Sequence, residues 1–160
     1  MLALAASMAL EGCTCAGCGP QLVWRASLPA TWTFAEARLI RVRACVNGRC
    51  LEGALSGSQT EPRAGSSSFI SLEPVGDGVG GYADLIRNAD GTYGVGVVLS
   101  MTGARDGDRH LIEVFDRDGV VVAGVPEAPV TYDTYNVNIA GPLGECRTVF
   151  LSDSLGDAGR

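Results

Sequence analysis

Two cysteines on either side of an Asn-Gly pair are the residues of this 160-residue chain with the clearest covalent chemistry. Cys45 and Cys50 flank the segment that contains Asn47 and Gly48. Asn-Gly between extended runs predicts a type I′ β-hairpin, because both central residues of that turn need positive φ. In this register Cys45 faces Cys50 at a non-hydrogen-bonded pair, where Cα atoms lie about 4.5 Å apart. We therefore predict a disulfide that locks the register and adds little stability.

The same hairpin register predicts which residues around the disulfide share a face. Arg43 faces Glu52 on the disulfide side, as a cross-strand ion pair. The opposite face carries only apolar residues and is the predicted core face; its members are Ile40, Val42, Ala44 and Leu51.

A further cysteine, Cys13, follows an apolar N-terminal run of residues 1–10. The segment Leu10-Glu11-Gly12-Cys13 resembles the lipobox that ends a bacterial lipoprotein signal peptide, with Leu three residues before the cysteine and a small residue just before it. This resemblance implies lipidation of Cys13 and attachment to a membrane without a transmembrane helix. Plain secretion and an ordinary apolar N-terminus are the alternatives.

The spacing of Cys13, Cys15 and Cys18 would allow thiolates to converge on a soft metal ion, with Cys146 as a distant fourth ligand. In an exported chain we prefer lipidation of Cys13 and a disulfide from Cys15 or Cys18 to Cys146. Six cysteines allow several connectivities, so this pairing stays open. No cofactor is predicted.

Two pairs of aspartates have a spacing that suits a hard cation such as calcium. Asp106 and Asp108 form one pair, and Asp116 and Asp118 form the other. Both pairs belong to Asp-Gly segments, which are also ordinary turn formers. We treat the four carboxylates as candidate calcium ligands where loops meet at one end of the fold.

No arrangement typical of catalysis is evident in the sequence. His110 is the only histidine, and we expect it to be exposed or at the rim of the fold, on a strand beside Arg109. A Ser–His–Asp site is conceivable only with distant partners, and no nucleophile elbow accompanies them; these partners are Ser71, Ser100 and Asp84. Asp133 and Glu127 are expected to be solvated loop charges. We predict that the chain is not an enzyme.

Residues 76–81 have the form G-x-G-x-x-G, which dinucleotide-binding folds use at the start of a helix. The residues that follow, Tyr82 to Ile86, alternate like a strand, so we do not predict a nucleotide site.

The aromatic residues could line a carbohydrate-binding face, but core packing explains them more simply. They are Trp24, Trp32, Tyr132 and Tyr135.

Alternating apolar residues and regular turn signals predict an all-β fold, a two-sheet antiparallel β-sandwich of about seven or eight strands. Thr33-Phe34-Ala35-Glu36 has the form of a capping box and predicts one helical turn. Residues 53–68 form a Ser/Gly/Pro-rich connection of the kind that joins the two sheets, and Ser66 to Ser68 are expected to be flexible. We divide the chain into residues 1–20 (signal-like and Cys-rich), 21–152 (sandwich) and 153–160 (tail).

The order "CVNGRC", "DGTYGVGVVL", "GDRHLIEVFDRDG" and a late cysteine, Cys146, resembles bacterial secreted or lipid-anchored proteins with one β-sandwich domain. In those proteins the domain is immunoglobulin-like or similar to the regulatory domain of carboxypeptidases. The resemblance spans residues 21–152 and implies an exported module in the cell envelope or outside the cell.

A net charge of −6 argues against binding to nucleic acid or to anionic lipid headgroups. We therefore expect a non-catalytic, surface-tethered module with a binding or structural role. The partners expected are a membrane through the lipid on Cys13 and a protein or carbohydrate ligand. The alternative is a small domain that binds carbohydrate or calcium.

Overall fold

A computed structural model describes residues 21–75, 79–101, 104–135 and 146–151 of the chain. These residues form an all-β sandwich, as predicted, with eleven strands rather than about eight. The elements are β1 (Gln21–Ser27), α1 (Phe34–Ala37), β2 (Arg41–Val46), β3 (Arg49–Ala54), β4 (Ser66–Ser71), β5 (Glu73–Val75), β6 (Val79–Arg87), β7 (Tyr93–Met101), β8 (Arg109–Phe115), β9 (Val121–Pro129), β10 (Asp133–Tyr135) and β11 (Cys146–Leu151).

The strands form two sheets that pack face to face around one core. The first sheet has six strands in the order β10-β11-β1-β7-β6-β4, and the second has five in the order β5-β3-β2-β8-β9. All neighbouring strands are antiparallel except β1 and β11, which run parallel, with Leu22 opposite Val149. Within the described residues, no helix is long and apolar enough to cross a membrane.

The core consists of the inward-facing residues of each strand, because successive side chains of a strand point to opposite faces. Strand β7 follows the predicted alternation, and its inward residues Tyr93, Val95, Val97 and Leu99 are buried. Facing them from the second sheet are Ile112 and Val114 of β8, also buried. The predicted core face of the hairpin is confirmed, since Ile40, Val42, Ala44 and Leu51 are at most 1% exposed.

The hairpin of β2 and β3 has the predicted register and turn. Asn47 has φ of 49° and Gly48 has φ of 78°, as a type I′ turn requires. Cys45 faces Cys50, the two form the predicted disulfide, and their Cα atoms are 4.0 Å apart. Arg43 Nε lies 2.5 Å from Glu52 Oε1, which confirms the predicted cross-strand ion pair.

The predicted helical turn is present as α1, and its capping box is formed. The Thr33 backbone N–H donates to Glu36 Oε2 at 2.7 Å, and the Thr33 hydroxyl donates to the same oxygen at 2.9 Å. These bonds hold the helix start, and Ala37 on its inner face is buried.

The connection from β3 to β4 passes from the five-stranded sheet to the six-stranded sheet, as predicted. The expectation that Ser66 to Ser68 are flexible is wrong, because they form the first half of β4 and pair with β6. After Leu72 the chain returns to the five-stranded sheet as β5, which pairs with β3. At this crossing a Cβ on Gly53 would lie 2.1 Å from the Ser71 carbonyl oxygen. Only glycine fits there.

Strand β9 is an edge strand of the five-stranded sheet and runs from Val121 to Pro129. Its pairing with β8 has two register shifts, one between His110 and Ile112 and one between Val114 and Phe115, and Gly124 in the regular stretch between them has φ of 154°. β-Bulges of this kind bend an edge strand without ending it. The predicted segments 1–20 and 153–160 lie outside the described residues.

Candidate functional site

The two aspartate pairs lie at opposite ends of β8, so the fold does not bring the four candidate calcium ligands together. Asp106 and Asp108 precede β8, whereas Asp116 and Asp118 follow it. Asp116 Oδ1 accepts hydrogen bonds from the backbone N–H groups of Asp118 (2.9 Å) and Val120 (2.8 Å). Asp106 Oδ1 accepts one from Tyr132 at 3.0 Å. Within the described parts of the chain, no three His, Cys, Asp or Glu residues group as metal ligands would.

Hydrogen bonds connect the Asn47-Gly48 turn of the β2–β3 hairpin to Asp108, in the turn before β8. Asn47 Nδ2 donates to Asp108 Oδ1 at 2.9 Å, and the Arg109 N–H donates to Asn47 Oδ1 at 2.8 Å. Burial alone would raise the pKa of Asp108, but hydrogen bonds from the Arg105 N–H and the Asn47 amide outweigh it and lower this pKa. The Asp108 carboxylate therefore stabilises the turn before β8 through its hydrogen bonds.

The prediction that His110 is exposed is wrong, because this residue is fully buried. Its Nε2 lies 2.8 Å from the Tyr132 hydroxyl, which in turn lies 3.6 Å from Met101 Sδ. Among the described residues, the His110 Nδ1 atom has no hydrogen-bond partner. Burial lowers the pKa of His110, and the nearby charge of Asp108 opposes this shift only in part.

The conceivable triad partners of His110 do not lie near it. Its ring points into the core from β8, whereas Ser71 and Ser100 are exposed on strands of the other sheet. Asp84 is also on that sheet and faces outward, between the inward residues Ala83 and Leu85. Glu127 is exposed and pairs with Arg109 at 3.6 Å.

The four aromatic residues named above do not form one exposed face. Trp24 and Tyr132 are buried in the core, and Trp32 is half-buried against it. The side chain of Tyr135 lies outside the described part of the chain. Core packing therefore accounts for these residues as far as they are described.

A different set of residues lies on the outer face of the six-stranded sheet. Phe69 on β4 faces Asp84 on β6, Asp84 faces Gly96 on β7, and Gly96 faces Arg25 on β1. The residues on either side of Asp84 and Gly96 point into the core, so the row lies on the outer face of the sheet, where Arg25 is exposed, Asp84 is partly exposed and Gly96 is buried. We call Phe69, Asp84, Gly96 and Arg25 the outer-face row.

Two aromatic rings stand at one end of the outer-face row. Phe69 is 54% exposed, and Tyr82 on the neighbouring strand is 38% exposed. Their ring centroids are 5.5 Å apart, and the rings are stacked at 28°. Stacking holds both rings in place while leaving much of their surface in water.

Asp84 and Arg25 carry opposite charges across the strand that contains Gly96. Burial raises the pKa of Asp84, and the charge of Arg25 and a hydrogen bond from the Ser67 hydroxyl oppose that shift only in part. None of the ion pairs between described residues joins Arg25 to Asp84. The carboxylate and the guanidinium group therefore influence each other by charge without forming an ion pair.

Gly96 lies between Asp84 and Arg25 in the row and is buried. A Cβ at this position would meet Ile86 Cδ1 at 3.4 Å and Arg25 Cγ at 3.8 Å, so aliphatic parts of two neighbours border it. These two side chains cover the backbone of β7 at Gly96, which is buried.

Two shallow grooves lie elsewhere on the surface. One, of about 360 Å³, lies on the outer face of the five-stranded sheet, where the guanidinium groups of Arg41 and Arg43 lie over the Phe115 ring. Arg43 there is already paired with Glu52 and Glu113. The other groove, of about 450 Å³, separates α1 from the turn after β8.

The outer-face row was not found from the sequence, although one signal for it is present. The positions of β7 that alternate with its core residues include Gly94 and Gly96, both of which are buried. A glycine inside a strand often marks a close approach of another group.

Several predicted features lie outside the described residues. These are Cys13, Cys15 and Cys18 and the first part of the Gly-rich segment, residues 76–78. The segment after the glycines is strand β6, as expected, and not a helix. Comparison with protein-family models, curated proteins and solved structures gives no match for this chain.

Proposed function

We propose that this protein is a non-catalytic module that acts outside the cytoplasm and binds a ligand through the outer-face row. The observation that carries the binding role is the row itself, with its exposed stacked aromatics beside a carboxylate and a guanidinium group. Exposed aromatic residues cost solvation free energy, and an apolar patch beside fixed polar groups is typical of binding surfaces.

The disulfide between Cys45 and Cys50 supports the location outside the cytoplasm. Disulfides persist in oxidising compartments and are rare where thiols are kept reduced. The lipobox-like segment that ends at Cys13 extends this proposal to a membrane anchor. The sandwich then corresponds to the immunoglobulin-like or carboxypeptidase-regulatory-like module of bacterial envelope proteins.

A sedimentation experiment tests the binding role without knowledge of the ligand. The full chain with Cys13→Ser is mixed with washed cell envelopes of the organism that makes it. We expect this protein to sediment with the envelopes, and a further Phe69→Ser/Asp84→Asn change to leave it in the supernatant. Val75→Ser, which alters an exposed apolar residue on the other sheet, is the control and should sediment. Equal sedimentation of all three proteins would contradict a binding role for the row.

Lipidation of Cys13 is tested separately by metabolic labelling with a palmitate analogue. We expect the label on the natural chain and its complete loss in Cys13→Ser. The matched control is Cys18→Ser, which leaves the lipobox-like residues intact and should keep the label. Secretion of both proteins in soluble, unlabelled form would refute the anchor and leave the binding role unaffected.

A further inference from the structure

The groove on the outer face of the five-stranded sheet contains two arginines with different neighbours. Arg41 and Arg43 are two residues apart on β2 and share its outer face, and Val42 between them is buried. Arg43 has two acidic neighbours in the sheet, because it faces Glu52 on β3 and Glu113 on β8. Its guanidinium group lies 2.5 Å from the first carboxylate and 3.5 Å from the second. The charge of Arg43 is therefore balanced within the protein.

Arg41 occupies the equivalent position two residues earlier on the same face, but it has no carboxylate on either side. It faces Ala54 on β3 and Phe115 on β8. None of the ion pairs between described residues includes Arg41, and this residue is exposed. Its guanidinium group therefore presents a positive charge and hydrogen-bond donors to the groove without a carboxylate partner among the described residues.

The Phe115 ring orients the Arg41 guanidinium group. The central carbon of this group lies 5.6 Å from the centroid of the ring, within the range of a cation–π interaction. A Cβ on Gly119 would lie 3.7 Å from Arg41 Nη2, so the guanidinium group also lies close to the turn after β8. A side chain held in this way loses less rotational entropy on binding than a freely rotating one.

The small side chain of Ala54 leaves space beside Arg41 where a glutamate stands beside Arg43. Glu52 and Ala54 are two residues apart on β3, so they share its outer face. Ala54 ends at Cβ and is exposed, and together with Arg41 and Phe115 it lines the groove of about 360 Å³. This volume lies at the lower end of the range for small-molecule sites.

We propose that this groove binds a small organic carboxylate, whose charged group pairs with Arg41 as Glu52 pairs with Arg43. Carboxylate and guanidinium groups match in shape and form two parallel hydrogen bonds. The apolar body of the ligand lies against Ala54 and Phe115, which are both at least partly exposed. The groove is on the opposite sheet from the outer-face row, so this inference goes beyond the binding role proposed above and does not depend on it.

Other ligands fit the groove less well. A phosphate dianion would bring a second negative charge close to Glu52, which also lines the groove, and the chain as a whole carries a charge of −6. A protein partner needs an interface of more than about 1,000 Å², of which this groove is only a small part. A neutral molecule would leave the charge of Arg41 without a counter-charge.

The test is an NMR titration of the ¹⁵N-labelled full chain carrying Cys13→Ser, at constant ionic strength. The probes are sodium acetate and sodium benzoate, with benzamide as the neutral isostere of benzoate and inorganic phosphate as the competing anion. We expect benzoate to give saturable shifts of the Arg41, Ala54 and Phe115 amides. The dissociation constant should be on the order of millimolar, because few ligand atoms make contact in an open groove. Acetate should bind more weakly because it lacks the apolar body, and benzamide should not saturate.

Two variants test the role of Arg41 in different ways. Arg41→Gln removes the charge and should weaken benzoate binding by about tenfold or more, as expected for lost hydrogen bonds to a charged group. Ala54→Glu places a carboxylate of the chain itself opposite Arg41 and should weaken benzoate binding by at least as much. Arg63→Gln, which removes one charge from an exposed residue between β3 and β4, is the matched control and should bind benzoate as the natural chain does. The NMR spectrum of each variant verifies that the fold is kept.

Four outcomes would overturn the inference. The first is the absence of saturable shifts with benzoate, and the second is equal binding of benzoate and benzamide, which would indicate an apolar contact alone. The third is benzoate binding that Arg41→Gln or a folded Ala54→Glu variant leaves unchanged. The fourth is tighter binding of phosphate than of benzoate. None of these outcomes bears on the envelope test, which depends on the variants of the outer-face row.

Discussion

His110 is the residue whose chemistry is most altered by its position. Its ring is buried between the sheets, with Nε2 close to the Tyr132 hydroxyl and no partner for Nδ1 among the described residues. A buried imidazole resists protonation, because the charged form loses its hydration. Burial therefore lowers the pKa of His110 below its ordinary value.

This position predicts a pH dependence of stability. The folded protein holds neutral His110, and the unfolded chain binds a proton at pH values below about 6.5. The contribution of His110 is thus fully present above that pH and is lost as the pH falls, by up to about 1.4 kcal/mol per unit of pKa difference. Urea unfolding between pH 7.5 and 5.5 measures this loss.

His110→Gln isolates the effect, since the chain has no other histidine. The variant is less stable throughout, but its free energy of unfolding should fall less steeply over this pH range. If the free energy of unfolding depends on pH equally in the variant and in the natural chain, the pKa of His110 does not differ between the folded and unfolded states.

At the scale of elements, the hairpin of β2 and β3 contains a disulfide that we expect to contribute little to the free energy of unfolding. Cys45 and Cys50 are five residues apart in sequence, and the register is also held by the Asn-Gly turn and by Asp108. We expect the double variant Cys45→Ser/Cys50→Ser to lower the free energy of unfolding by about 2 kcal/mol or less. Denaturant titration measures this change, and loss of the native NMR spectrum would contradict the expectation.

The crossing from β4 to β5 is more sensitive, because Gly53 packs against it. A Cβ there would lie 2.1 Å from the Ser71 oxygen and 2.8 Å from Leu72 Cδ2, and one of these groups would have to move. Gly53→Ala should cost about 1–3 kcal/mol in unfolding free energy. Gly57→Ala is the control, since a Cβ there meets nothing within 4 Å, and it should change stability by less than about 0.5 kcal/mol. Similar losses in both would refute the role of the crossing.

The elements also differ in how well the sequence predicts them. The hairpin was predicted to the residue, because its pairing partners are neighbours in the chain and the Asn-Gly turn sets their register. The exposure of His110 was predicted wrongly, because the polar character of histidine was given more weight than its alternation with Ile112 and Val114. The outer-face row could not be predicted, since it depends on which of several similar strands pair with β7.

At the scale of the whole molecule, the two sheets share one core and are joined by the crossing at Leu72. We therefore expect them to unfold together. Trp24 reports on the six-stranded sheet, and a Trp32→Phe variant makes it the only tryptophan. The ring resonance of His110 reports on the five-stranded sheet. Both signals should change at one denaturant concentration, and two separate midpoints would contradict a single cooperative unit.

The parallel pairing of β1 with β11 has a mechanical consequence. The start of β1 and the end of β11 lie at opposite ends of two adjacent strands. A pull applied between these points acts along the strands and loads the hydrogen bonds between β1 and β11 in shear, all at once. Such bonds must break together rather than one after another, as they do when strands are peeled apart. A chain held by its N-terminal segment and pulled from the far side would therefore resist extension at its first strand.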